Sequence, residues 1–261
     1  MKIAQINTVC GNGSVGRITV DIYHALKKAG HEGKIYYGRR TAPETAETEK
    51  FGSDLDMGLH VLSTFFTGTH GFNSKAQTEK LIESLKEYSP DLIHLHNIHG
   101  FYLNVETLFE FLKTFGKPVV WTLHDCWSFT GHCAYFDFAR CDKWKTGCKN
   151  CSQYRNSYPY ALFKDGSKEN YARKKAAFQG VPGLTIVTPS KWLGKLVKES
   201  YLKEYPVKVI PNGIDFIFHF SCNHIETLQG NCFVIGKCRI ISGSYILNDG
   251  KVVQVCVDGV K

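Results

Sequence analysis

Apolar residues in the first two hundred positions fall into short blocks, and amphipathic stretches of 10–15 residues separate the blocks. The blocks are KIAQINTV (2–9), KIYY (34–37), DLIHLH (91–96), PVVWTLH (118–124), LTIVT (184–188) and PVKVI (206–210). Each is short, rich in β-branched or aromatic side chains and bounded by polar or turn residues, as a buried strand is. Between the first two, Ile18, Ile22, Ala25, Leu26 and Ala29 recur at helical spacing, and Gly30 supplies a stop. A helix capped by Ser74 runs through Leu81, Ile82, Leu85 and Tyr88 to Pro90. Another passes through Val105, Leu108, Phe109 and Leu112 to Gly116. Ser167 and Ser190 open two more. Residues 39–56 read as a polar loop, and 126–160 as an irregular insertion rich in cysteine and aromatic residues.

Six strands alternating with helices predict an α/β fold with a doubly wound parallel sheet. Such sheets bind ligands beyond the carboxyl ends of their strands. The polar residues at those ends are Gly11–Gly16, His94–His99, His124–Asp125, Ser190–Lys191 and Asn212–Asp215. The alternation stops near Asp215. Beyond it only ISGSYILNDGKVVQVCVDGV carries a pattern, that of a β-hairpin turning at Asn248-Asp249-Gly250.

Composition narrows the class. Of 261 residues, 43% are hydrophobic and 21% charged, which excludes a disordered chain. No run of 18 apolar residues predicts a membrane span, and the N-terminus enters a strand without a signal-peptide core, so a cytoplasmic protein is expected. The net charge of +8 is regional. Residues 138–210 hold 15 Lys and Arg against 5 Asp and Glu, whereas residues 1–137 hold 13 against 15. A basic region favours phosphates or the face of an anionic membrane. Nucleic acid is not expected, since no recognised binding module accompanies it.

Gly11-Asn12-Gly13-Ser14-Val15-Gly16 matches G-x-G-x-x-G between a strand and a helix. It could cradle a pyrophosphate, bind a dinucleotide, or serve only as a tight turn. Arg39 and Arg40 follow the second strand where an acidic residue would hold a ribose, so an NADP-dependent oxidoreductase is the alternative enzyme reading. His96 and the His124–Asp125 pair end neighbouring strands and are candidates for proton exchange with a hydroxyl. His94, deeper in its strand, reads as structural. In a reducing compartment clustered thiols point to metal. Cys148-x-x-Cys151 with Cys133 and Cys141 would complete a four-thiolate structural zinc site, with plain buried thiols as the other reading.

Taken together, GNGSVGR (11–17), PDLIHLHNIHGFYLN (90–104), PVVWTLHDCWSFTGHCAYF (118–136), CDKWKTGCKNC (141–151), TPSKWL (188–193) and VIPNGID (209–215) resemble the acceptor-side domain of GT-B glycosyltransferases of family 4, the type that builds bacterial exopolysaccharide and capsule. The resemblance implies a Rossmann-like acceptor domain over 1–215 with the 126–160 insertion. It implies a retaining transfer from a nucleotide-sugar donor to a sugar or lipid-linked glycan acceptor, and no catalytic metal. It places Gly13, Ser14, Gly16 and Arg17 near the donor diphosphate and acceptor. Ser190, Lys191 and Asn212 join the substrate-binding set, and His96, His124 and Asp125 stand beside the reacting sugar. Residues 216–261 do not resemble the donor-binding domain that the family places there. A shifted reading frame past the hinge is the expectation, with a genuine small appendage as the rival. A non-catalytic module that binds glycan or anionic lipid is the remaining alternative.

Overall fold

The computed structural model describes residues 1–213 in full, and beyond them only the strand segments 226–227, 233–234, 243–246 and 252–255. The chain divides into two units, Met1–Gly213 and Ile214–Lys261.

The first unit is built on seven parallel strands in the order β3-β2-β1-β4-β5-β6-β7. They are β1 (Lys2–Val9), β2 (Glu32–Arg39), β3 (Thr48–Lys50), β4 (Leu92–Leu95), β5 (Val119–Thr122), β6 (Leu184–Thr188) and β7 (Val207–Val209). The helices are α1 (Gly13–Lys28), α2 (Asp54–Thr67), α3 (Lys75–Tyr88), α4 (Val105–Thr114), α5 (Ser167–Phe178) and α6 (Lys191–Glu199). The six expected strands and five expected helices are all present. The central strands are covered on both faces, which is why they read as apolar runs rather than alternations. Trp121 of β5, Phe109 of α4 and Phe178 of α5 are fully buried, with ring centroids 4.5–5.3 Å apart.

Three local readings differ. The stretch 39–56 holds β3 and the start of α2, a helix whose solvent face is apolar and whose buried positions are His60 and Thr64. Ser74 does not cap α3 with its side chain, because its hydroxyl lies 2.9 Å from His60 Nδ1 instead. Nor is Ser167 the cap of α5: the Asp165 carboxylate takes its amide hydrogen at 2.9 Å. Ser190 does cap α6, accepting from the Leu193 amide.

Gly68 ends α2 at φ +70°, and a Cβ there would lie 2.2 Å from the Lys164 carbonyl oxygen and 2.6 Å from the Gly166 nitrogen. Gly68→Ala is therefore expected to cost more than the ~1 kcal/mol of an unfavourable backbone region. The expected outcome is a melting temperature lowered by several degrees and earlier proteolytic nicking near 160–166. An unchanged melting curve would show that this crossing is not tight.

In the second unit β8 (Glu226–Thr227) pairs antiparallel with β9 (Phe233–Val234), and β10 (Gly243–Ile246) with β11 (Val252–Val255). The latter is the expected hairpin pairing. Its turn at Asn248-Asp249-Gly250 lies outside the described residues.

Candidate active site

The carboxyl ends of β1, β4 and β5 lie side by side, and long-range hydrogen bonds fix the turn after β4 between them. Asn7 at the end of β1 accepts from the Asn97 amide at 3.1 Å. The Thr8 hydroxyl reaches the carbonyls of Asn97 and His99 at 3.0 and 2.5 Å. Trp121 donates its indole N–H to the His96 carbonyl at 3.1 Å. This turn presents His99, and His124 and Asp125 follow the end of β5.

His99 Nε2 sits 2.7 Å from Asp125 Oδ2, and the Trp127 amide donates to Asp125 Oδ1 at 2.9 Å. Burial pushes the Asp125 carboxyl up, but the His99 ring and the Trp127 amide outweigh it and hold it below the ordinary carboxylate value. With the carboxylate ionised, His99 donates from Nε2. Nδ1 of a neutral ring then faces the Tyr158 hydroxyl at 3.3 Å. Reading the strand end at His96 hid this dyad, because the bonds that place His99 come from β1, some 90 residues earlier in the chain.

His96, expected beside the reacting sugar, is only 1% exposed and meets His124 through Nδ1. The Gln5 amide is fixed by its own donation to the Thr19 carbonyl at 3.1 Å, which turns Gln5 Oε1 toward His96 Nε2 at 3.2 Å. His96 therefore donates through Nε2 and accepts at Nδ1, where His124 Nε2 lies at 3.3 Å. His124 must then carry its proton on Nε2. Its Nδ1 is left as a lone-pair acceptor with no protein partner among the described residues. Burial lowers the His124 pKa to about 4, opposed by Asp125 and reinforced by His99, so the ring is neutral near pH 7. His94 Nε2 lies 2.8 Å from the Thr122 hydroxyl.

The glycine turn joins β1 to α1 on the same edge of the sheet. Gly11 and Gly13 have φ of +71° and +64°, and a Cβ on Gly11 would lie 2.8 Å from Pro43. Asn12 precedes the helix but gives its side chain to the carbonyls of Cys10 and Thr41 and does not cap it. No acidic residue occupies the first turn, so the opening amides of α1 keep their affinity for an anion. Ser14 and Arg17 are exposed there and Gly16 is buried against Val9. An open groove of about 460 Å3 runs from Gly11 past Arg17 to Thr45. Ser190 and Lys191 follow β6 and Asn212 follows β7, so these residues also stand at the carboxyl edge. Arg39 donates to the Gly100 carbonyl at 3.2 Å, which ties it to the fold.

Cys133, Cys141, Cys148 and Cys151 line one cavity of about 270 Å3 with Phe136 and Trp144. Among the described residues, however, no group of three or more His, Cys, Asp or Glu side chains is gathered to hold a metal ion. The expectation of zinc on these four thiols thus gains no support. Hydrogen bonding to Cys151 raises the Cys133 thiol and lowers its partner to about 7, while burial pushes Cys148 up to about 11. Aromatic packing holds the insertion together. Phe136 stacks on Trp144 at 5.0 Å, Phe129 lies 5.3 Å from the same ring, and fully buried Lys174 donates to the Trp127 carbonyl at 2.6 Å.

The family model for Glycosyltransferase Family 4 matches residues 13–216. The chain belongs to this family. A relative, the putative colanic acid biosynthesis glycosyl transferase WcaC of Escherichia coli (strain K12), is 33% identical over 234 residues. That match covers 82% of the chain and 55% of the relative, so the chain spans about half the length of that curated protein. Among solved structures, sucrose-phosphate synthase from Thermosynechococcus elongatus aligns at 10% identity with a TM-score of 0.48, over 80% of this chain and 47% of that one. A UGT transferase from Siraitia grosvenorii in complex with UDP aligns at 12% identity and 0.41, over 82% and 48%. Family 4 membership removes the ground for the oxidoreductase reading.

Proposed function

We propose that this chain is the acceptor-side part of a retaining glycosyltransferase of cell-surface polysaccharide synthesis, acting on a sugar or lipid-linked glycan. The donor is a nucleotide sugar. The observation that carries the reading is the neutral, tautomer-fixed His124 at the carboxyl edge of the sheet, beside the His99–Asp125 dyad and one strand removed from the β1–α1 turn.

In the transfer, an acceptor hydroxyl oxygen bonds to the anomeric carbon while the bond from that carbon to the diphosphate oxygen breaks. The hydroxyl proton leaves with the nucleoside diphosphate. His124 Nδ1 accepts a hydrogen bond from a sugar hydroxyl and orients it. The amides of Gly13 and Ser14, with Gly16 allowing close packing and Arg17 nearby, meet the charge that develops on the diphosphate. Ser190, Lys191 and Asn212 extend the polar edge. Residues 1–215 form the acceptor domain in this proposal.

The test is histidine-ring nitrogen NMR of the purified full chain. Titration with a lipid-linked acceptor glycan is expected to shift the His124 and His99 resonances and leave His94 in place. Titration with a nucleoside diphosphate is expected to perturb the amides of 13–17. An acceptor titration that moves no ring resonance, or one equally strong in His124→Ala, would overturn the proposal.

A further inference from the structure

The insertion after β5 folds back onto the strand end that it leaves. The Cys126 amide donates to the Ala134 carbonyl at 2.8 Å, and the Ala134 amide donates to the Tyr158 carbonyl at 3.2 Å. The Thr130 hydroxyl holds the Cys133 carbonyl at 2.6 Å, and His132 donates from Nε2 to the Ser157 carbonyl at 3.1 Å. These bonds clasp three separate pieces of the insertion together, and two of the pieces bring a tyrosine to the candidate active site.

Tyr158 sets its hydroxyl 3.3 Å from His99 Nδ1, and its ring stands edge-on to Phe101 with centroids 5.9 Å apart. Tyr135 donates its hydroxyl to the His124 carbonyl at 3.2 Å. The polar group formed by His124, His99 and Asp125 is thus bordered by aromatic residues that the insertion supplies.

Tyr135 is the exception in its own run. Cys133, Ala134 and Phe136 are buried, and Phe136 is stacked on Trp144, whereas 53% of the Tyr135 surface is open to solvent. Its tip is tied to the backbone while its ring is left uncovered. That anchor limits the ring's freedom before any ligand arrives, so covering it costs little further side-chain entropy. The residue that holds the hydroxyl, His124, is also the one whose Nδ1 has no protein partner among the described residues. A pre-set aromatic face beside a fixed hydrogen-bond acceptor suits a ligand that is apolar on one face and hydroxylated at its edge. A pyranose ring has that form, with axial C–H bonds on a face and hydroxyls around the rim.

We infer that Tyr135 is the platform on which the acceptor sugar stacks, and that a rim hydroxyl of the same pyranose bonds His124 Nδ1. The inference deepens the transferase proposal and rests on it for the identity of the site. It makes the insertion a part of acceptor recognition and Tyr135 a residue that determines which sugar is taken.

The test is saturation-transfer NMR on the full chain, irradiating aromatic protons, with methyl β-D-glucopyranoside and methyl β-D-galactopyranoside as probes. Each has a face of axial C–H bonds. Transfer to the axial ring protons of at least one probe is expected to exceed transfer to its methyl group. Tyr135→Ala is expected to weaken that binding roughly tenfold, the scale of one aromatic contact. Tyr135→Phe keeps the ring and is expected to retain the binding. The position is exposed, and unchanged melting curves confirm that both variants fold. Binding as strong in Tyr135→Ala as in the wild type would overturn the inference and leave the transferase proposal standing. An equal loss in Tyr135→Phe would also overturn it, by assigning the effect to the hydroxyl's hold on His124. So would the absence of binding by both probes to the wild type. If the His124 ring also fails to respond to the lipid-linked glycan, the transferase proposal falls with it.

Discussion

In a complete transferase of which this chain is the proposed acceptor-side part, His124→Ala is expected to lower kcat/KM for sugar transfer by on the order of 100-fold, the scale of a misplaced reacting group. The expectation follows from the only uncommitted nitrogen on the ring. The series Gln5, His96, His124 fixes one tautomer and leaves Nδ1 as an acceptor at the sheet edge. Gln5→Leu removes the anchor and frees His96 to flip, so a smaller loss is expected, in kcat more than in KM. Asp125→Asn removes the ionised partner of His99 and is expected to cost about as much as His124→Ala, because an amide presents a donor to His99 Nε2. Because His124 is already neutral, its titration adds no acid limb to the rate near pH 6.5. Such a limb in the wild type, vanishing in His124→Ala, would contradict the tautomer assignment.

The second large effect is on stability. Burial lowers His60, His94 and His124 each to about 4, with His124 also acting on His94, and it holds His96 and His70 well below the ordinary imidazole value, with neighbouring rings adding to the effect. In each case the unfolded chain binds a proton that the folded chain refuses. The stability that the neutral rings contribute is complete above about pH 6.5 and is lost as pH falls toward 4. A difference of about 2.5 units is worth ~3 kcal/mol per independent site. His94, His96 and His124 form a stack that titrates as a unit, so the sum for the domain is on the order of 5–10 kcal/mol, comparable to a whole domain's stability. The chain is expected to melt cooperatively at pH 7.5 and to be unfolded near pH 4.5. Thermal melts by circular dichroism across that range check this, and a melting temperature constant from pH 7 to 5 would refute it.

Lys174 is fully buried near His70 and His132, and burial lowers it to about 7. Its ammonium rests 3.9 Å from the Trp127 ring centroid. Lys174→Met keeps the length of the side chain and removes the buried charge. It is expected to raise the melting temperature at pH 6 more than at pH 9, since the cost of the charged lysine grows as pH falls.

The frame was legible because buried parallel strands are written as apolar blocks and their helices at an apolar period near 3.6. Ser190, Gly30 and Gly116 also stand where local chemistry put them. α2 was not legible for the same reason in reverse. Its periodic apolar face is the exposed one, and His60 and Thr64 stand where a core helix would carry leucine. At the site, His124 and Asp125 could be read from the end of β5. The burial of His96 and the selection of His99 could not, because Thr8, Asn7 and Gln5 impose them from β1. The cysteine spacing suggested metal, an expectation that gains no support among the described residues, whereas the packing of Phe129, Phe136 and Trp144 could not be read from spacing at all.

The strand order has a consequence for how the chain comes off the ribosome. β1 is made first and lies inside the sheet, with β2 and β3 added on one side and β4 to β7 added one after another on the other. Each new strand finds its partner already synthesised, and the sheet grows outward in the order of synthesis. At every stage the nascent chain presents one unfinished edge awaiting the next strand, which limits the time any long apolar edge stays open to a neighbouring chain.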